Sequence, residues 1–551
     1  MSTASATTRL DTEEHASWVP MMAIALGQMI MSFNVASLPV ALSGMVKSFG
    51  VPPTTVATGI VAYSMLVAGF VMLGAKLVQR FGAANVFRVA VVVFGIAQTL
   101  MTFSPNAAMM ITAQSLSGAA AAVIVPALVA LIAENYTGRQ QATAVGALGS
   151  ARAAAGVLAF IIGGVLGTFI GCRPAFGILI AVSAIVFLLS FRLKNVPGRE
   201  DVKIDMVGVV LAAAAILLIS FGFNNLNNWG LGVATANAPF NLLGLSPAPI
   251  FIVLGIVLGQ AFLMWTHRHQ AAGGTPLLAL DVIDSPQERA AVYALFAVVA
   301  LEAALNFSVP LYIQIVQGQS PLATAVAMMP FNLTVFFTAM LVVRFYTRLT
   351  PRQIGRYGFI LCTAGLLWLA FVVRNDWSAV PVLLGLIAFG IGQGALVTLL
   401  FNVLVTASPK ELAGDVGSLR GTTQNLAAAV GTAVAGALLV GLLSTIVLSN
   451  IAASPKLTPE LQAYVDLDSI NFVSNDQLRT ALEQTSANSA QVEEAVRVNT
   501  ESRLRALKIG LLILAGLAMT ASIPAGHLPD YIPGEIPARA PARGRKEGAR
   551  G

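Results

Sequence analysis

From about residue 18 onward this chain keeps returning to unbroken apolar runs long enough to cross a bilayer, a length of about 20 residues. Cutting the sequence at charged or Pro/Gly-rich punctuation gives fourteen of them, at about 18–44, 54–75, 86–103, 107–133, 141–170, 174–191, 204–223, 248–266, 290–316, 322–343, 355–373, 378–405, 417–447 and 507–524. A segment in lipid must satisfy its own backbone N–H and C=O groups, so runs of this length are helices. Charge is correspondingly scarce: 10% of residues are Asp, Glu, Lys or Arg and 56% are apolar, where a soluble domain carries about 25% charged. A soluble enzyme, a disordered chain and a disulfide scaffold are excluded. The expected fold is an all-α polytopic membrane protein with 14 transmembrane helices.

The positive charges orient it. An even number of spans puts both termini on one side. If that side is the cytoplasm, 22 of the 32 Lys and Arg residues face it, against three (Lys47, Arg173 and Arg374) in the short outer loops. Cytoplasmic loops carry the Lys/Arg excess, so the sequence predicts cytoplasmic tails at 1–17 and 525–551 in a cell (inner or plasma) membrane. The net charge of +7 is thereby spent on orientation and calls for no nucleic acid. Residues 1–17 are polar, so a cleavable signal peptide is not expected. Two longer connections fall on the outer side. Residues 224–247 read as a Gly/Pro-rich loop, and residues 448–506 as a polar segment with two capping-box starts, Ser474 with Gln477 and Asn488 with Gln491. The second segment is expected to form a small helical hairpin or a helix leading into the last span.

Catalytic signatures are missing. There is no His-Glu-x-x-His, no Walker loop and no Cys-x-x-Cys; Cys172 and Cys362 stand far apart, and His15, His267, His269 and His527 lie near termini or loop edges. Neither an enzyme activity nor a metal or other cofactor is expected. Without a phosphate-binding loop, uphill transport must draw on an ion gradient.

Two charges stand out deep inside the apolar runs, where a charge costs at least about 2.5 kcal/mol. Glu302 sits about 13 residues beyond Arg289, and Asn306 follows one turn later. Arg152 lies about 11 residues into the fifth run, among Gly149, Ala151, Ala153, Ala154, Ala155 and Gly156. Both runs cross in the same direction, so the two charges stand at similar heights near mid-membrane. A carboxyl held in an apolar cavity can trade a proton for a substrate, which makes Glu302 the candidate proton-coupling group. Arg152 is its counter-charge or an anchor for an anionic substrate. A static ion pair that fixes helix packing is the alternative. Uncharged polar residues inside the runs form a wider set: Gln28, Asn34, Tyr63, Gln114, Asn306, Gln314 and Gln393 are candidates for a substrate cavity, with helix packing the competing role for each.

Several stretches resemble the fourteen-span EmrB/QacA-type drug:proton antiporters of the major facilitator superfamily. Ala75-Lys76-Leu77-Val78-Gln79-Arg80-Phe81-Gly82 is similar to the family's G-x-L-x-D-R-x-G loop, with Gln79 in place of its Asp. Gln114-Ser115-Leu116-Ser117-Gly118 resembles R-x-x-Q-G with Gln114 for the Arg, and Gly163-Gly164 resembles the end of G-P-x-x-G-G. Asn34-Val35-Ala36-Ser37-Leu38-Pro39 resembles N-V-A-L-P without the Asp that precedes it. Asp205-Met206-Val207-Gly208, Asn228-Trp229-Gly230, Pro310-Leu311-Tyr312-Ile313-Gln314 and Gly318-Gln319-Ser320-Pro321-Leu322 resemble the family's second half in order and spacing.

The resemblance implies a major facilitator fold: a six-helix bundle at 18–193, two inserted helices at 204–266 and a second six-helix bundle at 289–524 that includes segment 448–506. It implies alternating access around a mid-membrane site, and makes Arg80 and Gly82 candidates for the gating loop. The family's span-one Asp and span-four Arg are absent, which directs attention to Glu302. The expected function is proton-coupled efflux of amphipathic or hydrophobic small molecules. The alternatives are a transporter for one endogenous metabolite, an anionic one being suited to Arg152, and a transport-silent membrane sensor or assembly partner. The expected partners are a small-molecule substrate, protons and the lipid bilayer; a periplasmic adaptor is neither required nor excluded.

Overall fold

In the computed structural model, residues 17–530 are described apart from 137, 201, 279–282, 284, 343–344, 346–347, 375–376, 378, 408–412, 454–474 and 484–487. The chain runs through α1 (Val19–Phe49), α2 (Pro53–Phe81), α3 (Ala83–Thr102), α4 (Ala107–Asn135), α5 (Gly138–Phe169), α6 (Pro174–Leu189) and α7 (Met206–Trp229). It continues through α8 (Pro247–Ala271), α9 (Pro286–Leu311), α10 (Pro321–Leu341), α11 (Pro351–Val372), α12 (Val380–Ala407) and α13 (Ala413–Ala453). A short α14 (Asn475–Glu483) and a long α15 (Ser489–Ala525) complete it. Among the described residues, 13 helices are long and apolar enough to cross a membrane; α13, with 41 residues, supplies the length for one more.

Helix starts follow local chemistry. Proline opens α2, α6, α8, α9, α10 and α11, where its missing N–H would lack a partner anyway. Ser285 with Glu288, Thr350 with Gln353, and Asn488 with Gln491 form complete capping boxes. Of the two starts expected in the outer segment, the one at Asn488 opens α15, which then runs unbroken into the last span. Ser474 lies outside the described residues. α14 is pinned to α15 by Asn499 Nδ2 donating to Asn475 Oδ1 at 2.9 Å and Asn475 Nδ2 donating to Thr500 Oγ1 at 2.9 Å. α7 runs on to Trp229, through the first six residues of the expected 224–247 loop; the rest of the connection is irregular, with isolated bridges between Val233 and Leu245 and between Leu242 and Leu245.

α1–α6 pack as one bundle and α9–α13 with α15 as the other. The inserted pair α7 and α8 lies against α2 and α13, along one seam between the bundles. Asp205 secures this pair: its carboxylate caps α7 at Gly208 N–H and also accepts from Trp265 Nε1 of α8, at 3.0 and 3.1 Å to its two oxygens. The molecule keeps its apolar residues on both sides of its helices. Buried Phe87, Phe94, Phe307, Phe331, Phe359 and Phe389 fill the bundles, while Val253, Ile256 and Val257 of α8 and Phe371 of α11 point outward. In water such a surface would aggregate; in lipid it is the solvent-facing side.

The halves meet differently at their two ends. We call the end where α1 begins and α15 finishes the terminal face. At the opposite end, Gly164 and Gly167 of α5 lie against Ala325 and Pro321 of α10, and Leu322 N–H donates to Thr168 Oγ1 at 3.1 Å. Nearer the terminal face, Gly149 and Gly156 of α5 have open space before them. On the α2–α13 side the terminal face is bridged by Lys76 and Asp415, 4.0 Å apart.

Candidate substrate and proton site

Glu302 is 16 residues into α9 from Pro286, so its Cα stands about 24 Å along the helix. The neighbouring crossing is tight: Gly431 of α13 packs so closely on Ala300 that a Cβ there would collide with its carbonyl oxygen. This small-residue contact brings α13 alongside the acid. The carboxylate accepts a hydrogen bond from Gln393 Nε2 of α12 at 2.7 Å, short enough to be charge-assisted. Gln393 is fully buried. Its Oε1, and Oδ1 of Asn306 one turn beyond Glu302, are buried acceptors without a hydrogen-bond partner among the described residues.

Arg152 is 14 residues into α5 from Gly138, about 21 Å along its helix. Its side chain is exposed, and Nη1 donates a long hydrogen bond of 3.4 Å to Gln424 Oε1 of α13 in the other bundle. Its charge acts on Glu302 and on the Tyr63 hydroxyl. The structure therefore brings both internal charges to one region between the halves, at similar depth. They share no salt bridge: each has an amide partner of its own, Gln393 or Gln424.

A third ionised group joins them. Arg420 stands at the very start of the apolar run at 417–447, where it counts with the charges of the adjoining loop. The helix itself begins at Ala413, which carries Arg420 two turns inside. Its guanidinium stacks on the Phe401 ring of α12, 3.7 Å from the centroid. The Arg152 charge acts on it as well. The signal available beforehand was Asp415, a helix-start acid five residues upstream.

The other polar candidates divide by location. Asn34 and Gln114 pair with one another, Asn34 Nδ2 to Gln114 Oε1 at 2.9 Å and Gln114 Nε2 to Asn34 Oδ1 at 3.2 Å, both fully buried between α1 and α4. Gln28 Nε2 donates to Ser32 Oγ one turn along α1 at 2.9 Å. Tyr63 is buried where α2 meets Gly118 of α4. Gln314 lies on the π-helical turn Tyr312–Val316 after Pro310, away from the charged region. Its Nε2 donates to the Pro39 carbonyl at 2.9 Å and its Oε1 accepts from Ser43 N–H at 3.0 Å, so it ties α9 to α1 at the end opposite the terminal face.

In the α2–α3 loop, Gly82 takes φ +83 and is buried against the 196–198 backbone. Arg80 is exposed, its guanidinium 5.6 Å from the Phe81 ring centroid. From that region it is Lys76, not Arg80, that reaches the other half. Among the described residues no group of three His, Cys, Asp or Glu could hold a metal.

Comparison with known proteins agrees with this architecture. The sequence profile of the Major Facilitator Superfamily matches residues 24–432. The multidrug efflux pump LfrA of Mycolicibacterium smegmatis is 24% identical over 521 residues, covering 93% of this chain and 97% of that one. The tetracenomycin C resistance and export protein of Streptomyces glaucescens is 24% identical, covering 77% of this chain and 76% of that one. Among solved structures, a bacterial homologue of the human lysosomal transporter Spinster, inward-facing and unoccupied, superposes with a TM-score of 0.57 at 14% identity, covering 93% of this chain and 98% of that one. That last likeness concerns the fold alone.

Proposed function

The chain belongs to the Major Facilitator Superfamily, a family of multi-pass membrane transporters of small molecules, and from that premise we propose that it is a proton-coupled exporter of amphipathic or hydrophobic compounds. The observation that carries the reading is Glu302: a carboxyl deep in the bundle, held by one glutamine and acted on by an arginine from the opposite half. Loading it with a proton removes its attraction for Arg152, and releasing the proton restores it. One protonation event thus changes the interaction between two bodies that must move relative to each other. Export as the direction is supported by the relatives, which are named as a drug efflux pump and an antibiotic export protein.

The terminal face is the cytoplasmic one in this reading, with tails 1–17 and 525–551 there and the 448–506 segment outside, in a cell membrane. The two bundles, 18–193 and 289–524, rock about the mid-membrane site with 204–266 lodged between them. No chemical conversion of the substrate is part of it. The test is transport in inside-out vesicles with an imposed pH gradient, acid inside. The expected result is uptake of an amphipathic dye that collapses when the gradient is dissipated. Uptake indifferent to the gradient contradicts the reading.

A further inference from the structure

The charges between the halves do not balance. Arg152 acts on one carboxyl, Glu302, and on a second guanidinium, Arg420. Whenever Glu302 carries a proton, two positive charges face this region with no acid among the three groups to offset them. Like charges repel, and more strongly in a low-dielectric interior than in water. An arrangement of this kind is held in readiness for something of opposite sign.

The hydrogen-bonding inventory points the same way. Arg420 Nε is buried with no hydrogen-bond partner among the described residues, its flat face being taken up by Phe401. One turn along the same helix, Gln424 uses its Oε1 to accept from Arg152 and leaves its buried Nε2 unpartnered. Both orphaned atoms are donors, on one face of α13, and Arg152 stands beside them with its side chain exposed. A buried donor without an acceptor costs about 1–3 kcal/mol. Two such atoms on one face next to two cations make a site that is incomplete without an acceptor. Glu302 Oε2 accepts from Gln393 on α12, and neither Arg420 Nε nor Gln424 Nε2 has a Glu302 oxygen as its partner.

We infer that Arg420, Gln424 and Arg152 form an anion subsite, and that the exported molecules are amphipathic compounds bearing a carboxylate or comparable oxyanion. Phe401 holds the Arg420 plane so that its N–H edge is presented, as a stacked arginine does for a planar bidentate acceptor. The assignment rests on the exporter reading for the fate of the bound molecule, but not for binding itself.

The test separates binding from transport. The probes are a fluorescent xanthene dye carrying a free carboxylate and its uncharged methyl ester. Equilibrium binding to the purified full-length protein is read by fluorescence anisotropy. The wild type is expected to bind the acid at least about tenfold more tightly than the ester. Arg420→Gln and, separately, Gln424→Leu reduce that preference toward unity, and Arg420→Lys keeps part of it. Size-exclusion profiles and bound-ester signal establish that each variant is folded. Equal binding of acid and ester by the wild type, or a preference untouched in both Arg420→Gln and Gln424→Leu, overturns the inference. Gradient-driven flux of the same dyes is scored separately. Acid-selective binding without gradient-driven flux keeps the subsite and removes the exporter reading; gradient-driven flux without acid selectivity does the reverse.

Discussion

At the scale of single residues, polar groups inside this protein serve two different ends. Asn34 and Gln114 pair with each other across α1 and α4, an arrangement that suits packing of the first bundle. Gln114→Leu strands the Asn34 amide at a cost of about 1–3 kcal/mol. Thermal unfolding in detergent should show a lowered midpoint, and Asn34→Leu added to Gln114→Leu should recover part of it. A double variant less stable than either single would show that the amides do more than satisfy one another. Glu302, Arg152, Gln424 and Arg420 behave otherwise: their partners lie on different helices or are missing among the described residues. Sequence reading found Glu302 and Arg152, because a charge in the middle of an apolar run is visible by itself. It could not tell the Asn34–Gln114 pair from a substrate contact, since that distinction depends on a partner 80 residues away.

At the scale of elements, the apolar runs gave the helices their number and order, while their ends moved. α13 begins at Ala413, four residues before the run does, which sets Arg420 two turns into the helix rather than at its mouth. Hydropathy marks where a helix enters lipid, not where its hydrogen bonds begin. α15 shows the same at its other end, joining 18 residues of the polar outer segment (489–506) to the last span as one continuous helix. The seams were not legible in sequence. Neither Lys76 with Asp415 nor Gln314 with Pro39 and Ser43 is a local pairing. They set up a prediction about motion. Cysteines replacing both Lys76 and Asp415, joined by a short bis-methanethiosulfonate reagent that spans the reach of the lost lysine, should arrest transport, with activity returning on reduction, measured as dye flux in vesicles. Undiminished flux through the cross-linked protein would mean that α2 and α13 stay together through the cycle. Gln314→Ala removes two hydrogen bonds from the opposite seam, and should raise the reaction of a cysteine introduced at Ser43 with a membrane-impermeant maleimide added from outside.

At the scale of the whole molecule, two bundles, an inserted helix pair and the α14–α15 pair are joined in one chain. The orientation is checkable without transport. A reporter that fluoresces only in the cytoplasm should light up when fused after residue 551 and stay dark when inserted at 454–474. The central claim is that Glu302 links proton movement to substrate movement, and it is tested most directly in proteoliposomes by comparing wild type with Glu302→Gln in two modes. In the first mode an imposed pH gradient drives accumulation of dye. In the second, preloaded unlabelled dye exchanges for labelled dye with no gradient. The wild type should perform both, and Glu302→Gln should keep exchange while losing gradient-driven accumulation. Accumulation by Glu302→Gln that still follows the pH gradient would contradict the account.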